Sequence, residues 1–223
     1  MVLTSLVCPP DDELLYAPQG MHHLHAELAA APAERPDCHL RNLEALLPSR
    51  ASASPFRDAF AFRHAPASFD AYTSGKSIGR LDAPTLQAHG PHNFRTTAGF
   101  GGRGSEITHQ VPAHVAVVLH YESATYAAWQ RKYLDLAASH PSASASFEQV
   151  PFPFFRQSIS AAEAILAARA AADPAAEEKA VAQAQALWDA HKLAPKRLPK
   201  AGATPRVHDA NLTVLSPLHG YEL

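Results

Sequence analysis

The strongest hydrophobic pattern in the chain is Val115-Ala116-Val117-Val118-Leu119-His120-Tyr121, an almost unbroken apolar run of strand length that predicts a β-strand buried on both faces. Upstream, Met21, Leu24 and Leu28 recur at helical spacing, which predicts a short helix to about Ala31, ended by Pro32 and Pro36. The opening Met1 to Cys8 reads as a core strand that runs into the acidic turn Asp11-Asp12-Glu13. Between Asp37 and Phe69, short apolar patches are cut by Pro48, Pro55 and Pro66, and this suits strand and connecting loop better than helix. Beyond the apolar run, Ser123 is placed to cap a helix whose stripe is Tyr126, Trp129, Tyr133 and Leu136, a pattern expected to face a core. From about Ser158 alanine dominates, and Asp173-Pro174 has the form of an N-cap followed by a first-turn proline, so a second helix to about Lys192 is expected. The pair predicts a helical hairpin, followed from Leu193 by an extended, partly disordered, proline-bearing basic tail.

Composition narrows this picture. Of 223 residues 47% count as hydrophobic, but 45 of them are alanine, so the large side chains suffice for a modest core. Length suits one domain, or one domain with a helical appendage. A formal charge of -2 and a pI near 6.7 give no general attraction to nucleic acid or to an anionic membrane. No apolar stretch has the length needed to cross a bilayer, so the chain as given is expected to be soluble. Cys8 and Cys38, without histidines at ligand spacing, read as buried thiols rather than as a zinc ribbon or a redox motif.

Several segments invite a chemical reading. Gly75-Lys76-Ser77 looks like the end of a phosphate loop, but the glycine that such a loop needs five positions earlier is Asp70, which excludes it. Gly99, Gly101, Gly102 and Gly104 lack the spacing of a dinucleotide turn and read as flexible loop. His22, His23 and His25 cluster, yet a helix puts only two of them on one face, so a solvated surface is the expectation and a metal-dependent hydrolase a minor reading. Asp11-Asp12-Glu13 differs, because carboxylates at a strand's carboxyl end lie where open α/β sheets bind ligands. Hard oxygen ligands at that position suit Mg²⁺ or Mn²⁺ against a diphosphate.

The order of these features resembles the carboxyl-terminal half of a GT-A glycosyltransferase of the kind grouped with family 92 and related family 2 enzymes. The residues that carry the resemblance are Pro10-Asp11-Asp12-Glu13-Leu14-Leu15, Gly75-Lys76-Ser77-Ile78-Gly79-Arg80, His89-Gly90-Pro91-His92, and Leu119-His120-Tyr121 leading to Trp129-Gln130-Arg131-Lys132. They span about Leu3 to Lys132. The resemblance implies an α/β fold: a partial GT-A-like mixed sheet with flanking helices over residues 1–150. The alanine-rich helical hairpin then covers 151–195 and the basic tail 196–223.

In function, the resemblance implies transfer of a sugar from a nucleotide-sugar donor to a carbohydrate or glycoconjugate acceptor. Asp12, His120 and His92 would hold Mn²⁺ or Mg²⁺, and Lys76 and Arg80 would face the donor diphosphate. Golgi or secretory-pathway placement is implied for a full-length relative. The donor-binding half that precedes the first strand in such enzymes is not in the sequence, so a chain without turnover is also expected. Glu106 and Glu122 both remain open as the general base. The competing reading is a non-enzymatic interaction module built on the helical hairpin.

Overall fold

In a computed structural model, the described residues are 13–51, 61–64, 75–80, 82–89, 92–102, 104–140, 143–193 and 212–214. The molecule is mixed α/β, with small sheets and five helices among those residues. It divides into two compact units, residues 1–44 with 73–120, and residues 45–72 with 121–223. The opening strand and Asp11-Asp12, Cys8, and the tail from position 194 to 211 lie outside the described residues.

The first unit begins with β1 (Glu13–Tyr16), so Glu13 opens a strand rather than closing an acidic turn. The reason is its partner: β1 runs antiparallel to β10 (Val117–His120), the core of the apolar run singled out in the sequence. β10 also pairs in parallel with β3 (Asn42–Leu46). All four residues of β10 are buried, so both faces of the strand are covered, which explains why it is apolar without alternation. Helix α1 (Met21–Ala30) buries Leu24 and Leu28 as its spacing predicts, while Met21 at the first turn stays exposed. Their contacts form a core with Leu40, Ile78, Val111, Ala116 and Val118.

A second sheet sets β2 (Asp37–Leu40) between antiparallel β5 (Lys76–Gly79) and parallel β9 (Thr108–Gln110). A third is the meander of β6 (Gln87–His89), β7 (Asn93–Thr96) and β8 (Gly99–Phe100). Part of the glycine cluster expected as loop is therefore strand, since Gly99 lies in β8. Gly101 donates to the Phe94 carbonyl, and Gly102 donates to Asp37 Oδ2 at 2.8 Å. A Cβ on Gly101 would overlap that same buried carboxylate, which explains why glycine stands there.

The second unit holds α2 (Tyr126–Ser139), α3 (Ala143–Ser146), α4 (Pro153–Ala170) and α5 (Pro174–Lys192), and an antiparallel pair of β4 (Ala61–His64) and β11 (Leu212–Val214). The cap of α2 is Thr125, whose Oγ1 accepts from Ala128 N at 3.1 Å; Ser123, the expected cap, sits instead at φ 50° outside the helix. Trp129 and Tyr133 are fully buried, as their stripe predicts. Helix α4 starts five residues before Ser158, because Pro153 supplies a first-turn proline. The expected hairpin forms, with Asp173 Oδ1 capping Ala176 N at the start of α5. Its apolar stripe, Phe154, Ile159, Ala162 and Ile165 on α4 with Ala184 and Trp188 on α5, is buried. Both helices pack on each other and on α2.

Candidate functional site

The site in the first unit grows out of strand register. Glu13 faces His120 across β1 and β10, and His120 faces Glu44 across β10 and β3. Register partners project to the same face of a sheet, so the three make one polar row across three strands. Their exposures are 4%, 5% and 3%. His120 Nδ1 lies 2.7 Å from Glu44 Oε2. An ionised carboxylate only accepts, so with Glu44 ionised Nδ1 is the donor in this bond. This is the arrangement by which a carboxylate orients a histidine for proton transfer or metal binding.

Lys76 joins the row from β5. Its Nζ lies 3.1 Å from Glu13 Oε2, and both side chains are buried. Gly75 precedes it at φ 64°, and a Cβ there would overlap the Leu40 carbonyl oxygen and crowd the His39 ring. The glycine thus serves a tight entry to β5 rather than a phosphate loop. Next along β5, Ser77 Oγ lies 3.3 Å from His39 Nδ1. His92, half-buried, completes the cluster. Burial, and after it the positive charge of Lys76, push its pKa down to about 4, with smaller contributions from His120 and His39 and an opposing hydrogen bond with the Gly75 backbone. His92 is therefore a neutral imidazole at pH 7, able to offer a lone pair.

Three residues expected at one site, Lys76, His92 and His120, thus come together although they are far apart in the chain. Arg80 is engaged elsewhere, in a two-pronged pair with Asp82 (2.9 and 2.7 Å) and in a bond to the Ala31 carbonyl (2.9 Å). Asp12 lies outside the described residues, and its chain neighbour Glu13 stands opposite His120. Among the described residues no three His, Cys, Asp or Glu side chains form a group that could hold a metal ion. Of the two carboxylates open as a base, Glu106 is exposed. Glu122, in the second unit, accepts from Lys132 Nζ at 2.5 Å and from the Tyr133 hydroxyl at 2.9 Å.

Glu44, His39 and Asp37 did not stand out in the sequence. The signal that marks them is a charged or polar residue inside an apolar strand: Leu43-Glu44-Ala45-Leu46 and Asp37-Cys38-His39-Leu40. Such a residue is rarely buried unless it is paired. The clustered histidines His22, His23 and His25 are exposed, as expected of a solvated face. Cys38 is a buried free thiol, and burial pushes its pKa up to about 11. No described helix is long and apolar enough to cross a membrane. No family model matches the chain, and no curated protein and no solved structure matches it.

Proposed function

We propose that the chain is glycosyltransferase-like and acts on a nucleotide-sugar donor, with the buried cluster of the first unit at the diphosphate. The observation that carries this reading is the convergence of Lys76, His92 and His120 with two buried carboxylates, Glu13 and Glu44. Sugar transfer breaks the bond between the anomeric carbon and the diphosphate oxygen, and negative charge grows on the leaving group. Fixed positive charge in a water-poor site stabilises that change far more than it would in water. Lys76 supplies such a charge, held in place by Glu13. A divalent cation, Mn²⁺ or Mg²⁺, would neutralise more of the diphosphate; Asp12 is its oxygen ligand in this reading, with His120 and His92 as nitrogen ligands. Glu44 keeps the His120 ring turned with Nε2 outward from the pair.

The test is calorimetric titration of the full chain with UDP, with and without Mn²⁺, repeated on Asp12→Ala and His92→Ala. The expected result is saturable binding that requires the metal and is lost in Asp12→Ala. Failure of the unaltered protein to bind UDP in the presence of Mn²⁺ would overturn the donor assignment.

A further inference from the structure

The meander of the first unit carries a second row of partners, remote in kind from the buried cluster. Gln87 pairs in register with Arg95, and Arg95 with Phe100, so three neighbouring strands send a carboxamide, a guanidinium and a phenyl ring out of the same face. Phe94, one position along, points the other way and is buried. All three members of the row are exposed, and Phe100 at 61% is the most exposed large apolar side chain among the described residues. Its position is nonetheless supported. The His89 ring lies 4.8 Å from its own, and Ser105 Oγ donates to its carbonyl oxygen. Arg95 Nε and Nη2 both donate to Gln87 Oε1, at 3.3 and 3.2 Å, which locks the two planar groups together. A guanidinium has five N–H groups, so this fork uses only part of its capacity, and the Gln87 carboxamide adds two donors of its own.

A cavity of about 440 Å³ lies on this row, lined also by Thr85, Thr96 and Thr97. That volume is within the range of small-molecule sites. Arg95 is the one charged residue in its lining, and hydroxyl, amide and aromatic groups make up most of the rest. A phosphate or other anion would ask for more positive charge. An exposed ring beside fixed planar donors suits a neutral ligand with one apolar face and many hydroxyls around its edge.

We propose that the row Gln87, Arg95 and Phe100 is a saccharide subsite. The ring of Phe100 covers the C–H face of one pyranose, and Arg95, Gln87 and the threonine hydroxyls bond its hydroxyl groups. The choice of a saccharide as occupant rests on the glycosyl-transfer reading above; the row and its cavity do not.

The experiment is titration of the full chain with cellotetraose, β-1,4-galactotetraose and β-1,4-mannotetraose, without nucleotide or metal, followed by two-dimensional NMR or calorimetry. Binding of at least one of the three is expected with Kd on the order of 1 mM, weakened about tenfold or more by Phe100→Ala and retained by Phe100→Trp. UDP and Mn²⁺ titration of the same Phe100→Ala protein is expected to be unchanged. Absence of binding by all three saccharides, or equal binding by Phe100→Ala, overturns the subsite. Loss of UDP binding in Phe100→Ala also overturns it, since the row would then serve the donor. Saccharide binding in a protein that fails to bind UDP would support the subsite and sink the donor assignment instead, so the two failures are distinguishable.

Discussion

Lys76 and Glu13 form the ion pair on which the buried cluster turns. Both are almost completely out of water, so the pair is costly to assemble and costlier to break, because loss of one partner strands the other's charge. Lys76→Met is expected to lower stability by about 3–5 kcal/mol in urea denaturation. The double variant Lys76→Met with Glu13→Gln should recover most of that loss; a single variant as stable as the unaltered protein would show that the pair is not buried as described. His92 gives a second, spectroscopic check. Its pKa falls from 6.5 to about 4, so between those values an unfolded chain takes up a proton that the folded one declines. Stability therefore drops as pH falls through that window, and is unaffected by this group above about pH 6.5. NMR titration of the His92 ring should find its midpoint near 4, well below the ordinary histidine value of 6.5. A midpoint near 6.5 would show that His92 is neither buried nor under the influence of Lys76 as described.

The elements differ in how well their local chemistry agrees with their place. Helix α5 begins with agreement throughout: Asp173 caps it, Pro174 fills the first turn, and His191 and Lys192 lie at its carboxyl end, where positive charge complements the helix dipole. The joint before it does not agree. Ala172 sits at φ 51°, in the left-handed region where helix ends usually place glycine, and its N–H bonds back to the Arg169 carbonyl. A Cβ in that conformation costs roughly 1–2 kcal/mol. Ala172→Gly is accordingly expected to raise stability by about 1 kcal/mol, read as a higher urea midpoint at unchanged slope. A lower midpoint would mean that the hairpin turns otherwise. Gly75 and Gly101 show the opposite case, since each stands where a side chain would collide with backbone or with Asp37. These glycines interrupt the apolar patterns and look like loop in the sequence, yet they are sites of close packing.

At the scale of the whole molecule, the second unit depends on its hairpin. Trp129 donates from Nε1 to Ser158 Oγ on α4 at 2.9 Å, and Tyr133 lies edge-on to Phe154 at a centroid distance of 6.3 Å. A chain that ends at Pro151 would strip those rings of Ser158 and Phe154 and uncover the face that α4 buries. Its remaining tryptophan, Trp129, is expected to emit at the wavelength of an exposed indole and the protein to bind a hydrophobic dye; native-like blue emission would show that α2 packs without α4 and α5. The sequence by itself determined the elements whose signal is local. The buried strand β10, helix α1 with Leu24 and Leu28, the stripe of Trp129 and Tyr133, and the capped start at Asp173-Pro174 all follow from side-chain period and from backbone groups satisfied within a few residues. It also singled out Lys76, His92 and His120, but not what surrounds them. Glu44 at His120, Glu13 at Lys76, the anchoring of Gly102 by Asp37, and the row of Gln87, Arg95 and Phe100 were decided only by tertiary structure. The reason is physical: a strand exposes its meaning only beside its partners, because register chooses which side chains share a face, and register is set by pairings between segments far apart in the chain.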